Sequence, residues 1–421
     1  MTFQSNESHR EDLKLVVYEG NFALVTEKRK LPTDSSQWIR IQDLPQTIDL
    51  NSLILNEIAV EEWSIQRASG VSQLTILQAL TGEIILFGAE GTPKERHRLI
   101  ASVPDLVLKN IRTKEILLNP DGEVAILSIP PTVSNLHTFL FRVDENVWPN
   151  AFTMTYLTNE LSWQAHYLVL LGKDKMKVNG FIEVKNNTGS SFINVSLQTM
   201  AGETKRIRQE EPTYIQQNKS MMLMDSSESI VTEEGEGELH LFTIPFRVDL
   251  HDQQSTVIPF IDSILPYRLY YVAIPGHEHP ISTIAWKHDS DMPLAKGIMT
   301  FYYERNDQVL FAGEDRISYS PKNKEIESQF GRAVDIDSEY ALIRRYKSGE
   351  DTIEEHEYRL RNGKDQEAEM VIIHPFYYKT WELIEASEDI LYQSASELQL
   401  HTTLAPEQSK VVTFTVKVKK K

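Results

Sequence analysis

Cysteine is absent from this chain of 421 residues. Its absence excludes disulfides, thiolate metal sites and cysteine nucleophiles, and it fits a reducing compartment. Long apolar runs are absent too, since no stretch approaches the ~18–20 residues that a membrane-spanning helix needs. The first twenty residues are polar and mixed in charge, with no apolar signal core. These features predict a cytoplasmic protein without a membrane span.

An excess of positive charge is also absent. The chain has 43 Lys and Arg against 61 Asp and Glu, so its net charge is -18. Most of such a surface repels a phosphate backbone, so nucleic acid is not an expected partner. The basic end at 417–421 is short and is interpreted as a solvated terminus. Hydrophobic residues make up 41% of the chain, which is typical of globular domains.

Long helical periodicity is scarce, and short strand-length runs separated by turn residues take its place. Around the centre, over 156–203, runs at 163–171, 180–185 and 192–200 alternate apolar and polar residues. The turn between the last two runs reads Asn186-Asn187-Thr188-Gly189. This pattern predicts a β-meander and an all-β fold built mainly from sandwiches.

Breaks in the pattern divide the chain into four predicted domains. We expect a small antiparallel β domain over 12–73 and, over 74–131, five short strands forming a closed or nearly closed barrel of the SH3-like or Sm-like kind. A central β-sandwich follows over 132–308, and an immunoglobulin-like sandwich over 309–421. The stretch 204–238 is rich in charge and lacks a strand period, which predicts a long exposed acidic loop inside the central domain.

The most metal-like cluster is the loop at 276–280, with His277 and His279 two residues apart. In an extended segment both side chains point the same way, as two ligands of a divalent metal should. His251, His288 or an acid could supply a third ligand. The competing interpretation is two exposed turn residues in a loop rich in proline and glycine. No other cofactor is expected.

Other combinations of residues are weaker candidates for chemistry. Paired carboxylates could support glycoside hydrolysis, but nothing in the sequence sets their separation; the candidates are Glu314, Asp315, Asp335 and Asp337. An aromatic group could face a sugar or a peptide, or fill a core; it comprises Tyr377, Tyr378 and Trp381. The acidic run at 233–238 lacks the spacing of a calcium loop. No phosphate-binding loop, nucleophile elbow or zinc-protease helix is present.

Several stretches resemble one bacterial family, the domain of unknown function 4139, whose longer members are called mucoidy inhibitor A-like proteins. They read TYLTNELSWQAHYLVLL at 155–171, VKNNTGSSFINVSLQTMAGE at 184–203, FAGEDRISYSPKNKEIE at 311–327 and WELIEAS at 381–387. The similarity covers roughly 150–418, and the first strands resemble the domain that usually precedes it. Longer members carry a signal peptide and a heptad coiled coil, and neither is found here. The resemblance implies no catalytic residues.

The motif residues within these stretches are interpreted as structural. Trp163 and Tyr167 lie four apart on a strand and should face one side, towards the core. Asn186 and Asn187 suit left-handed turn conformations, and Gly189 avoids the Cβ penalty there. A bulge is predicted around Gly313, with Glu314 and Asp315 bonding the chain or Arg316. Gly202 and Trp381 belong to the same set of motif residues.

The predicted function is that of a non-enzymatic, β-rich interaction scaffold. Its loops, its small barrel or its sheet edges would contact a protein partner or a second copy of the chain. The alternative from another class is a metal-dependent hydrolase that uses His277 and His279.

Overall fold

The computed structural model of the chain describes residues 2–130, 132–144, 147–202, 204, 240–288, 293–305, 308–377 and 380–419. Strands account for nearly all regular structure in these ranges, which confirms the all-β class. The predicted acidic loop at 204–238 lies outside the described residues apart from Thr204.

The first part of the chain contains thirteen strands, a 3-10 turn and one short helix among its described residues. They run β1 Thr2–Ser5, a 3-10 turn Glu7–His9, β2 Arg10–Tyr18, β3 Phe22–Lys30, β4 Trp38–Ile41, β5 Ile54–Asn56, β6 Val60–Gln66, α1 Gln73–Ala79, β7 Ile84–Gly88, β8 Glu95–Ala101, β9 Val107–Asn110, β10 Ile116–Leu118, β11 Glu123–Ala125, β12 Thr138–Val143 and β13 Ala151–Asn159.

The rest of the chain continues with strands alone in its described ranges. They are β14 Leu161–Leu171, β15 Lys175–Asn186, β16 Phe192–Ala201, β17 His240–Leu250, β18 Gln254–Ala273, β19 Ile281–Lys287, β20 Gly297–Arg305, β21 Gln308–Ile317, β22 Glu325–Arg332, β23 Ile336–Ser348, β24 Asp351–Asn362, β25 Ala368–Pro375, β26 Trp381–Ala386, β27 Asp389–Gln393, β28 Glu397–Leu404 and β29 Ser409–Val418.

The chain divides into two compact units, and the division falls within β14, β15 and β18. Unit 1 comprises Met1–Trp163 with Val184–Thr256, and unit 2 comprises Gln164–Glu183 with Val257–Lys421. The four domain boundaries predicted from the sequence stay a prediction, because compactness alone does not show which segments fold by themselves.

Unit 1 is built on three sheets among its described residues. A four-stranded sheet has the order β1-β4-β12-β6, a six-stranded sheet the order β17-β16-β2-β3-β13-β5, and a five-stranded sheet the order β10-β9-β8-β7-β11. Strands β2 and β3 alternate buried and exposed side chains, as expected of strands that cover a core with one face. They share their sheet with β13, β16 and β17, which come much later in the chain.

The small five-stranded sheet lies where the sequence predicts a barrel. Its last strand, β11, pairs with its first, β7. The edge strands β10 and β11 do not pair with each other in the described part of the chain, so the sheet is open and does not close into the predicted barrel.

A helix, α1, forms at the start of the segment 74–131, where the sequence predicts only short strands. Its N-cap is Ser72, whose hydroxyl accepts a hydrogen bond from the backbone N–H of Thr75 at 3.1 Å. Leu77 then packs into the core of the small sheet, which also contains Ile85, Phe87, Leu99 and Leu108. The sequence interpretation missed this N-cap. Ser72 itself has an extended backbone, and the helix begins at the next residue, Gln73.

Unit 2 contains a large sheet and a smaller one. The large sheet has the order β21-β20-β14-β15-β18-β25-β28-β27, with β19 and β22 branching from β18. The smaller sheet has the order β23-β24-β29-β26. Their inner faces share one apolar core, in which Tyr358 and Phe414 of the small sheet meet Met370 and Leu400 of the large one. The C-terminal segment is therefore a two-layer sandwich.

The predicted meander over 156–203 is wrong at its third strand. Strands β14 and β15 are neighbours, but β16 pairs antiparallel with β17 and parallel with β2 in the six-stranded sheet. Alternation along a strand identifies its buried face but carries no information about which strand lies beside it. The alternation therefore predicted that β16 is a strand but not that it pairs with β2 and β17.

Candidate functional site

A groove in unit 2 runs between two edge strands of the C-terminal sandwich. Strand β26 closes one edge of the small sheet, and β27 closes one edge of the large sheet. Residues 387 and 388 join these strands, and both strands contribute residues to the lining of the groove. The groove has a volume of about 700 Å³ and is lined by residues 381–386, 388–390 and 393.

Both edge strands carry a bulge next to the groove. The pairing of β26 with β29 shifts between Leu383 and Glu385, and the pairing of β27 with β28 shifts between Ile390 and Tyr392. A bulge interrupts the row of free backbone groups that a new strand would need, and it re-aims side chains. The bulges therefore favour contacts through side chains over a long row of backbone hydrogen bonds to an added strand.

The groove combines exposed aliphatic side chains with carboxylates. Ile384 and Ile390 are 53% and 51% exposed. Glu388 accepts a hydrogen bond from Lys410 Nζ at 2.9 Å, and Glu382 accepts one from Lys419. That bond to Glu382 and the carboxylate's charge raise the pKa of Lys419.

Two further carboxylates of the groove form no ion pair within the described residues. They are Glu385, whose Oε1 accepts a hydrogen bond from Thr415 Oγ1 at 3.3 Å, and Asp389. The groove thus presents negative charge next to two accessible isoleucines. The sequence interpretation named Trp381 as a motif residue but missed the groove, because the groove depends on which sheet edges become neighbours.

The predicted metal loop connects β18 to β19. His277 is exposed, whereas His279 is half-buried, with Nδ1 at 3.1 Å from the carbonyl oxygen of Ile336 and 3.6 Å from Asp337 Oδ1. The described residues contain no group of three or more His, Cys, Asp or Glu side chains arranged to hold a metal ion. The structure does not bring His251 or His288 together with the loop as a ligand set, and the metal hypothesis stays a prediction.

The family motif residues on β14 are buried. In unit 1, Trp163 Nε1 donates to the carbonyl oxygen of Met200 at 3.2 Å, and its ring packs on Phe242. In unit 2, Tyr167 donates to the carbonyl oxygen of Ala295 at 2.8 Å, and burial raises the pKa of its hydroxyl.

The turn after β15 differs from the expectation at its asparagines. Neither Asn186 nor Asn187 has a positive φ, so the predicted left-handed asparagines are wrong. Asn186 instead uses its amide as a cross-link: Nδ2 donates to two carbonyl oxygens, and Oδ1 accepts from Thr188. Asn187 bonds through its backbone N–H to the carbonyl oxygen of Glu160. Both motif glycines of this region have positive φ, Gly189 (+80°) after β15 and Gly202 (+120°) after β16.

Gly313 lies at a bulge between β20 and β21, where Phe301 pairs with Gly313 and Tyr302 with Phe311. Glu314 accepts a hydrogen bond from Thr300 Oγ1 at 3.2 Å. Asp315 accepts one from the backbone N–H of its neighbour Arg316 and one from that of Gln329, both at 2.7 Å. Both carboxylates therefore form hydrogen bonds to neighbouring strands or to the backbone. Asp315 bonds the backbone N–H of Arg316 rather than its guanidinium.

The aromatic group after β25 divides between core and surface. Trp381 is buried, donates to the carbonyl oxygen of Ala395 at 2.8 Å and stacks on Phe376 at 4.0 Å. Tyr377 is 92% exposed. Tyr378 lies outside the described residues. Asp335 and Asp337, the other two carboxylates considered for glycoside hydrolysis, have different surroundings. The backbone carbonyl of Asp335 accepts a hydrogen bond from Gly363, whereas the side chain of Asp337 lies beside His279.

A buried charge network in unit 1 was missed by sequence reasoning. Glu27 Oε2 accepts hydrogen bonds from Arg29 and from Arg10 Nε, and its Oε1 accepts one from Tyr156 at 2.6 Å. Arg29 Nη1 also donates to Asp43 at 2.8 Å. Burial opposes ionisation of Glu27, but the two guanidinium charges outweigh burial and lower its pKa. The network joins strands β2, β3 and β13 through the side chains of Arg10, Glu27 and Tyr156.

A second buried polar cluster lies in the C-terminal core. The rings of His356 and His374 are 4.7 Å apart, and each Nδ1 lies 2.9 Å from a tyrosine hydroxyl, Tyr340 and Tyr358 respectively. Burial lowers the pKa of both imidazoles, to about 3 for His374. Phe414 and Phe376 pack against them, so these histidines are part of the core.

A scan of the chain against protein-family models finds no match, and neither does a search of curated proteins. The resemblance to the domain of unknown function 4139 therefore stays a prediction from its quoted stretches. Among the described residues, no helix is both long and apolar enough to cross a membrane.

Proposed function

We propose that this chain is a non-enzymatic interaction protein that binds a basic, apolar segment of a partner in the groove between β26 and β27. A cytoplasmic location forms part of the proposal. The observation that carries it is the juxtaposition of two bulged edge strands around accessible Ile384 and Ile390. Exposed aliphatic side chains within a groove are typical of interaction sites, whereas scattered ones are not.

Charge defines the segment that would suit this groove. Glu385 and Asp389 are available to pair with lysine or arginine, while the isoleucines take aliphatic side chains. Because the bulges interrupt the strand edges, affinity would come from side chains, with at most a few backbone hydrogen bonds. A single groove of this size predicts weak and salt-dependent binding.

The test uses a fluorescent ten-residue peptide in which lysine alternates with valine, titrated with the purified full chain and followed by anisotropy. We expect saturable binding that weakens about tenfold in Glu385→Lys/Asp389→Lys, since two rim charges contribute on the order of 1.4 kcal/mol together. Ile384→Ser/Ile390→Ser should weaken it as well.

Glu350→Lys is the matched control, because Glu350 is an exposed carboxylate of unit 2 in the turn between β23 and β24. It should bind the peptide like the unmodified chain. Equal binding by all variants, or no saturable binding at low salt, would overturn the proposal.

A further inference from the structure

The five-stranded sheet of unit 1 has one face covered and one face open. Its inner face packs around Leu99 and Leu108, with α1 contributing Leu77. The opposite side is here called the outer face, and six of its accessible residues lie on the four neighbouring strands β7 to β10. They are Ile84, Arg96, Arg98, Lys109, Ile116 and Leu118.

Strand register sets these side chains in rows across the sheet. Ile84 pairs with Arg98, Arg98 with Lys109, and Lys109 with Ile116. Side chains directly opposite on one face lie close together. The middle row therefore consists of two adjacent cations between two isoleucines. Arg96 lies two positions from Arg98 on the same face of β8.

This arrangement separates charge within the module. Residues 74–131 contain six Lys and Arg and seven Asp and Glu, so the segment is nearly neutral in a chain of net charge -18. The row of Ile84, Arg98, Lys109 and Ile116 nevertheless contains no carboxylate. Glu123, opposite Gly88 on the same face, forms an ion pair with Lys94, and Glu95 forms one with Arg112.

The cations of the outer face lack ion-pair partners within the part of the chain that the structure describes. Neighbouring cations on one sheet face repel each other, so this arrangement disfavours the isolated module slightly. An acidic ligand would relieve that repulsion. Ile116 and Leu118 are 60% and 75% exposed on the edge strand β10, and they offer apolar contact next to the charges.

We infer that the outer face is a second docking surface, which binds a short acidic and aliphatic segment of a partner protein. Charge complementarity favours this ligand. A broad anionic surface such as a bilayer or a nucleic acid suits the chain less well, because its net charge of -18 repels extended negative surfaces. A narrow peptide segment reaches the cations without that repulsion. The surface is distinct from the groove in unit 2 and selects the opposite charge.

The experiment titrates a fluorescent twelve-residue peptide of alternating glutamate and leucine with the full chain at low salt. Saturable binding is expected, weakening about tenfold in Arg98→Glu/Lys109→Glu. Ile116→Ser/Leu118→Ser should also weaken it. Hexaglutamate, which lacks aliphatic side chains, should bind more weakly than the alternating peptide.

Lys347→Glu is the matched control, since Lys347 is an exposed cation on β23 of unit 2. This variant and Glu385→Lys/Asp389→Lys should bind the acidic peptide as the unmodified chain does. Circular dichroism of each variant confirms that the fold is retained. Binding of the full chain to vesicles of phosphatidylserine and phosphatidylcholine is measured in parallel, to distinguish a peptide ligand from a lipid surface.

Peptide binding that responds to the outer-face variants supports the inference whether or not the groove binds its basic peptide. Three outcomes overturn it: no saturable binding of the acidic peptide, equal binding by the outer-face and control variants, or binding to the vesicles alone.

Discussion

Arg29 Nη2 donates a 2.6 Å hydrogen bond to Glu27 Oε2, two positions back on the same strand, and both side chains are fully buried. Residues two apart on a strand share a face, so β3 directs an ion pair into the interior of unit 1. Tyr156 and Arg10 complete the coordination of the carboxylate. A buried pair of this kind tolerates the loss of one partner poorly, because the other charge remains out of water.

The first prediction concerns that pair. Glu27→Leu should lower the free energy of unfolding by about 3–5 kcal/mol, since it leaves Arg29 with Asp43 as its one remaining carboxylate. The double variant Glu27→Leu/Arg29→Met should be destabilised by less than the sum of the single variants. Amide hydrogen exchange of β2, β3 and β13 measures the effect locally. Additive losses in the double variant would show that the two charges are not coupled.

The second prediction concerns the pH dependence of the C-terminal core. Burial lowers the pKa of His374 to about 3 and lowers that of His356. In the unfolded chain this imidazole therefore takes up a proton as the pH falls below about 6.5, whereas His374 of the folded chain stays neutral until the pH approaches 3. Stability from His374 is complete above pH 6.5 and is lost progressively as the pH falls towards 3. At pH 4.5 the loss should reach about 2–3 kcal/mol.

Amide exchange in β24 and β25, compared at pH 7.5 and 4.5 after correction for intrinsic rates, measures this dependence. His374→Gln should reduce it, because glutamine does not titrate in this range. His277→Gln, at an exposed site, should leave it unchanged. A core whose protection is equal at both pH values would contradict the assignment of His374 as a neutral buried imidazole.

The sequence predicted the fold class and many strands because alternation records burial directly. The run expected at 163–171 lies in β14, and its motif residues Trp163 and Tyr167 are buried as their spacing suggested. Alternation does not show which strands lie next to each other in a sheet, and the pairing of β16 with β2 was therefore not predicted. Both proposed binding surfaces also depend on register and on which edges meet. The ion pair of Glu27 and Arg29 was missed because charged residues in a strand pattern are usually assigned to the solvent face.

The third prediction separates two reasons why a glycine is needed. An added Cβ at Gly313 would lie 1.5 Å from the carbonyl oxygen of Phe330, and φ there is +150°. Gly313→Ala should therefore cost about 3 kcal/mol or more, since β21 and β22 must separate. Gly349 has φ +67° in an open turn with no atom within 4 Å of the added Cβ.

Gly349→Ala is the control for the Gly313 variant, because only backbone strain applies to it and about 1–2 kcal/mol is expected. Urea unfolding of both variants, followed by circular dichroism, gives the comparison. Equal destabilisation would mean that the approach of β22 to Gly313 does not determine the requirement for glycine.

The fourth prediction tests the loop of His277 and His279. His279→Ala should reduce stability by about 1 kcal/mol, because the imidazole Nδ1 bonds the carbonyl oxygen of Ile336. His277→Ala should change stability by less than about 0.5 kcal/mol, since its side chain is exposed. Metal analysis of the purified chain should find less than one equivalent of zinc. If one equivalent is bound and both substitutions release it, the two imidazoles act together as ligands, and the metal-dependent hydrolase becomes the stronger hypothesis.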